Sequence, residues 1–272
     1  PAPPAPQPTT KNPEFLKNRC LDCHNETYEV NQNLVCSFQT GTEIVLGPSN
    51  SCANCHMPEI KRQIVKSELN TLIRKSHKHG FVGGGVPKEY SLYPHQVYLG
   101  YKPGIILSEI AQNGDTIKLS IKNAFGGHSV PSGDPERFYR MEWKGKDSSG
   151  QIVFNDTKEF GQTWEWSPKA KKIADNRLVS EQIFVWEKKV PSNVETFIVT
   201  AKHIRLKNSA SDYMSKATNH KDPVILEKIK NIRANYPHSS TVLETKWTKG
   251  KKDRRDTDLQ ELMNRNEKSF GE

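Results

Sequence analysis

"TIKLSIKNA", residues 116–124, alternates Ile117, Leu119 and Ile121 with Lys118, Ser120 and Lys122. A strand sends successive side chains to opposite faces, so a two-residue period marks a strand with one face buried. The same texture, less regular, returns in "FYRMEWKGKD" (138–147), "QIVFNDTKEF" (151–160), "QIFVWEKKV" (182–190) and "ETFIVTAKHIRLK" (195–207). Turn-forming "NGD" (113–115), "DSSG" (147–150) and "PSN" (191–193) separate these stretches. Short strands at such spacing predict an immunoglobulin-like antiparallel β-sandwich over residues 105–207.

Toward the N-terminus the alternation stops. Residues 14–104 hold all five cysteines and five of the nine histidines. Within them "EIKRQIVKSELNTLIRK" (59–75) sets Ile60, Ile64, Leu69, Leu72 and Ile73 at roughly helical spacing, which predicts a helix. "GFVGGGVP" (80–87) breaks it. The segment reads as a small domain rich in loops and helices. Residues 1–13 begin "PAPPAPQPTT", an extended linker. Beyond residue 207 the alternation fades. Residues 222–236 and 256–268 read as helices and "KWTKGKKDRR" (246–255) as a basic run. The expected architecture is therefore α+β in four parts: linker 1–13, helix- and loop-rich domain 14–104, sandwich 105–207, and a basic, partly helical extension 208–272.

Hydrophobic residues make up 34% of the 272, below the ~45–50% usual for globular chains. Such a chain carries long solvated segments or fills part of its core with an apolar cofactor. No run of ~18 apolar residues could cross a membrane as a helix. The sequence opens on Pro1, as after removal of a leader or trimming. The formal charge of +9 suits an acidic partner, although charge alone does not choose among protein, nucleic acid and anionic lipid.

The chemistry is concentrated in "CLDCH" (20–24) and "CANCH" (52–56). Cys-x-x-Cys-His is the attachment site of c-type haem. Cys20 and Cys23, and again Cys52 and Cys55, would add to the two vinyl groups of a haem as thioethers. His24 and His56 would each meet an iron from the same side. A zinc ribbon explains less: residues 24–51 separate the pairs, more than its usual ~15–20, and zinc leaves the histidines unexplained. A thioredoxin-like redox pair lacks its βαβ surroundings. Two covalent haems, and so a compartment outside the cytoplasm, are the expectation.

Each iron then needs a sixth ligand or an open position. "KSHKHG" (75–80) offers His77 and His79, and "GGHSVPSG" (126–133) sets His128 on a glycine-flanked loop that can approach a planar group. His95 stands in reserve. His203, His220 and His238 read as ordinary histidines, and Met141, Met214 and Met263 have no supporting context. Arg137 and Arg140, just past the His128 loop, are candidates to hold haem propionates by bidentate bonds; pairing with Asp134 or Glu136 is the competing reading. Cys36 reads as a small buried residue.

"CLDCH", "LVCSFQTGTEIVLGPSNSCANCHMP" and "SHKHGFVGG" together resemble the haem region of periplasmic multihaem c-type cytochromes. "NAFGGHSVPSGDPERFYRMEWKGKDSSGQIVF" (123–154) resembles the Gly-His-x-x-Pro-x-Gly segment that opens their β-sandwich module, and "DNRLVSEQIFVWEKKVP" (175–191) its later strands. The resemblance covers roughly residues 14–207. It implies an electron-transfer protein with His128 and either His79 or His77 as distal ligands. This chain departs in having two haem motifs only, and in Val130 and Ser132 where Phe and Thr are common. The expected function is electron transfer between periplasmic or extracellular redox proteins. Their docking surfaces would be acidic, or they would be other multihaem cytochromes. The chain would act as a free carrier or as a subunit of an assembly, with the N-terminal linker a candidate membrane tether and no nucleic-acid partner. A haem enzyme reducing a small oxyanion or peroxide at an open iron is the alternative; no nucleophile constellation, nucleotide loop or carboxylate dyad points to other catalysis.

Overall fold

The computed structural model describes residues 28–30, 33–36, 56–57, 59–63, 73–78, 84–166, 168–251 and 253–268. Within 14–104 the first described pairing is β1 (Tyr28–Val30) antiparallel to β2 (Asn33–Cys36). A second antiparallel pair follows, β3 (Glu59–Gln63) on β4 (Ile73–His77). The helix expected over 59–75 is therefore absent from its described ends. Those ends pair across the sheet instead, Glu59 opposite His77 and Gln63 opposite Ile73. Most of their side chains are exposed, so no buried stripe rewards a helix, and spacing alone is a weak determinant without one. A 3₁₀ turn at Tyr90–Leu92 and a one-turn α1 (His95–Tyr98) complete this part.

Two larger antiparallel sheets follow. Three strands pair in the order β10 (Ile183–Lys189), β6 (Thr116–Asn123), β5 (Ile105–Asn113). Six pair in the order β13 (Arg255–Asp256), β12 (Ser239–Thr248), β11 (Thr196–Ile204), β7 (Phe138–Lys146), β8 (Ile152–Glu165), β9 (Lys171–Asp175). The alternating stretches of the sequence are strands because their inward positions are apolar: Ile117, Leu119 and Ile121 are fully buried, as are Phe197, Val199 and Ala201. Trp186 of β10 meets Trp143 of β7 edge to face, with ring centres 5.5 Å apart at 78°, so one core joins the two sheets. The Trp186 indole N–H donates to Asp156 at 3.0 Å, which keeps a polar atom satisfied at the edge of that core.

Two expectations fall here. The architecture is not a helix- and loop-rich domain followed by one immunoglobulin-like sandwich: the segment before residue 105 contributes strands, and the larger sheet runs past residue 207. Nor is 208–272 only a basic, partly helical extension: besides the helices expected at 222–236 and 256–268 it supplies strands to the larger sheet. Ser239–Thr248 is a ten-residue strand paired along its length with β11. Its period was hidden by a bulge, where Ala201 faces Leu243 but Lys202 faces Thr241. The buried set shifts from Ser240 and Val242 to Thr245 and Trp247, and a bulge of this kind breaks a two-residue pattern. Helices do occur here: α2 (Asn208–Ser215), α3 (Pro223–Lys230), α4 (Ile232–Asn235) and α5 (Leu259–Lys268). Asp222 caps α3 by accepting from the N–H of Val224 at 2.8 Å, with Pro223 at the first position. α5 lies on β12, where the buried Asn266 side chain exchanges two 2.9 Å hydrogen bonds with the backbone of Thr241.

Candidate functional site

The site is built around the loop that leaves β6. Asn123, the last residue of that strand, is fully buried. Its side-chain amide donates to the carbonyls of His128 and Leu178, both at 2.9 Å, and its oxygen accepts from Gly126 N–H at 3.0 Å. Three backbone groups, one of them buried and two half-buried, thus meet on one side chain, the arrangement that fixes an irregular loop. Gly126 is required by contact: a Cβ there would lie 2.7 Å from both Asn123 Oδ1 and Val130 Cγ1. Val130 and Leu178 then exchange backbone hydrogen bonds at 3.0 and 3.3 Å, and Arg177, held on Asp175 at 2.9 and 2.8 Å, reaches the Pro131 carbonyl. Arg177 and its neighbours keep the Asp175 carboxyl well below its usual range, against the opposing effect of burial.

This loop presents His128 to His56. The two ring centres are 6.3 Å apart and the ring planes differ by 10°. Two imidazoles on opposite faces of one metal ion, each bonded at about 2.0–2.1 Å with ~1.1 Å more from nitrogen to ring centre, also stand about 6.3 Å apart. Rings packed directly face to face would bring their atoms to about 3.5–4.0 Å. His128 Nδ1 lies 2.8 Å from the Ser129 carbonyl. A carbonyl only accepts, so Nδ1 carries the proton and the ring's lone pair is on Nε2. Such a second contact orients metal-binding histidines and raises their basicity. The spacing of the two ring centres thus equals that of imidazoles on either side of one ion.

The other expected residues are placed as follows. His77 ends β4 and is exposed, and its Nδ1 donates to the Met57 carbonyl at 2.7 Å. His95 opens α1 on the surface. Arg140 directs Nε and Nη2 to Glu159, both at 2.8 Å, on the exposed side of β7. Arg137 keeps its Nε buried without a hydrogen-bond partner among the described residues. Cys36 lies at the end of β2. Cys20, Cys23, His24, Cys52, Cys55 and His79 fall outside the described residues. Among the described residues no group of three or more His, Cys, Asp or Glu gathers, and no helix is long and apolar enough to cross a membrane.

His203, read as ordinary in the sequence, is 2% exposed. Its Nδ1 donates to Gly84 O at 2.6 Å, and its ring lies 4.8 Å from that of Tyr139. Burial pushes its pKa down to about 4, although the Gly84 carbonyl works in the opposite direction. Just past the end of β11, Arg205 donates to the carbonyls of Val86, Pro87 and Pro237 at 2.7–2.9 Å and stacks on Tyr236. Ser240 donates to Gly85 O at 2.7 Å. These side chains strap the glycine turn at 84–87 to the large sheet, and so tie the histidine-bearing segment to the core. The signal was present in the sequence: His203 follows Phe197, Val199 and Ala201 at steps of two, on the inward face.

Comparison with known proteins adds one fact. A solved structure shares this fold. It is a penta-heme cytochrome c552 from Thermochromatium tepidum, at TM-score 0.58 and 16% sequence identity. The match covers 86% of this chain and 56% of that one, so this chain spans little more than half the length of that protein. Scans of protein-family models and of curated proteins find no match.

Proposed function

We propose that this chain is a c-type cytochrome that passes electrons between proteins outside the cytoplasm, with His56 and His128 binding opposite faces of one haem iron. The observation that carries the reading is the ring pair itself. The histidine that closes "CANCH" is met at metal-sandwich distance by a histidine 72 positions on, held there by a dedicated loop. The fold shared with a multihaem cytochrome supports it.

On this reading Cys52 and Cys55 carry that haem, Cys20, Cys23 and His24 carry a second, and His79 or His77 serves the second iron. A bound haem supplies reversible one-electron oxidation and reduction at its iron. The protein does the rest. Asn123 and Gly126 fix the His128 loop. Ser129 accepts the Nδ1 proton and so holds the tautomer that offers Nε2. Arg137, whose buried Nε has no hydrogen-bond partner among the described residues, would meet a propionate. With His56 and His128 both holding the iron, substrates would be kept from the metal and specificity would lie in the surfaces around it. Partners are other redox proteins, met as a free carrier or within an assembly.

The test is intact mass. The secreted protein should exceed its polypeptide mass by two haems, and Cys52→Ala with Cys55→Ala should remove one. A mass equal to the polypeptide alone, under conditions where a control c-type cytochrome matures, refutes the proposal.

A further inference from the structure

We infer that the β3–β4 hairpin is the docking surface for an acidic redox-protein partner. The inference rests on the electron-transfer reading only for what crosses the surface. Lys61 faces Lys75 directly across the two strands, and Arg62 faces Arg74. Like charges directly opposite in a sheet repel and weaken the pairing. All four side chains are exposed, and so is Lys78 just beyond. Glu59 offsets one of the five, through a 3.0 Å ion pair to Lys75. Successive strand positions point to opposite faces, so Lys61 and Lys75 share one face and Arg62 and Arg74 the other; a negative surface laid on the Lys61–Lys75 face relieves the repulsion there.

Its place suits electron exchange. β3 starts three residues after His56, and the hairpin is pinned back to that segment by His77 Nδ1 on the Met57 carbonyl. Ile73, 67% exposed, lies among the cations on the face it shares with Lys61 and Lys75. An apolar contact with a charged rim is the anatomy of a protein interface. The two strands carry no Phe, Tyr or Trp, the side chains on which single-stranded nucleic acids chiefly stack, and their one imidazole, His77, is engaged on the Met57 carbonyl. Charge at the rim of such an interface acts mainly by steering the encounter, and so is sensitive to salt.

The test uses the full-length, haem-loaded protein and an immobilised acidic flavodoxin as probe. Three proteins are compared: wild type, the hairpin triple Lys61→Gln/Ile73→Ser/Lys75→Gln on that one face, and a control triple Lys221→Gln/Val224→Ser/Lys228→Gln, which removes equal charge and one exposed aliphatic side chain from the region around α3. Wild type should bind at ~20 mM salt and release by ~0.5 M. The hairpin triple should bind about tenfold more weakly and the control within about twofold of wild type. Failure of wild type to bind at low salt, equal binding by wild type and hairpin triple, or equal loss in the control overturns the inference. So does tighter binding to phosphatidylglycerol vesicles or to an oligonucleotide than to flavodoxin. Haem absorbance of the same samples reports separately: hairpin-dependent binding by a chain without haem sinks the electron-transfer reading and leaves the docking surface standing.

Discussion

Lowering the pH from 7 to 5 protonates an exposed histidine at little cost, but to protonate His203 it must put a charge into the core. The ring is 2% exposed, pressed against Tyr139, and burial holds its pKa at about 4 rather than 6.5. Between those values the unfolded chain binds a proton here that the folded chain refuses. Stability is therefore whole above pH 6.5 and falls as the pH falls toward 4. The full loss is about 3 kcal/mol at ~1.4 kcal/mol per pKa unit, and about 2 kcal/mol is gone by pH 5. For a chain of this size that lowers the melting temperature by about 4–8 °C at pH 5. The assay is thermal unfolding by near-ultraviolet circular dichroism at pH 7, 6, 5 and 4.5, for wild type and for His203→Gln, whose amide can still donate to Gly84. The variant should start lower at pH 7 and lose less on acidification, so the two curves converge. Parallel curves would refute the argument, because the acid sensitivity would then arise elsewhere. Asp175, held well below its usual range by Arg177, contributes at lower pH.

Further outcomes follow from the same geometry. Gly84→Ala should destabilise strongly, since φ there is +67° and the new Cβ would sit 2.0 Å from His203 Cε1. Gly150→Ala, at φ +84° with nothing within 4 Å, should cost only the about 1–2 kcal/mol of backbone strain; equal melting temperatures for the two would contradict the strap. Asn123→Ala removes the partner of the half-buried His128 carbonyl and Gly126 N–H, while the Leu178 carbonyl keeps the N–H of Val130; it should cost about 2–4 kcal/mol, read by denaturant unfolding. His128→Met should retain the covalent haem and raise one reduction potential, read by spectroelectrochemistry; unchanged potentials would exclude His128 as a ligand.

The strands were legible because a two-residue period reports one buried face, and Ile117, Leu119 and Ile121 keep that period without interruption. β12 was not, because its bulge changes phase at the middle and its inward positions include Ser240 and Thr245. Residues 59–75 read as helix because Ile60, Ile64, Leu69, Leu72 and Ile73 stand at roughly helical spacing, whereas the described ends, 59–63 and 73–77, pair as strands and leave most of their side chains exposed. At the site, His128 stood out by its flanking glycines. Asn123 did not: a buried asparagine at a strand end looks like any turn residue until its three backbone partners are known. His203 was passed over by residue type, although its position in the period of β11 marked it as inward.

The central claim, two histidines on one iron with near-parallel rings, is tested most directly by electron paramagnetic resonance of the oxidised protein, alongside His128→Gly. The 10° between the ring planes predicts a rhombic low-spin signal, the type given by parallel imidazoles. In His128→Gly that signal alone should be replaced by a high-spin one that responds to carbon monoxide after reduction. A wild-type haem at "CANCH" that is already high-spin, or a low-spin signal untouched by His128→Gly, would contradict the account.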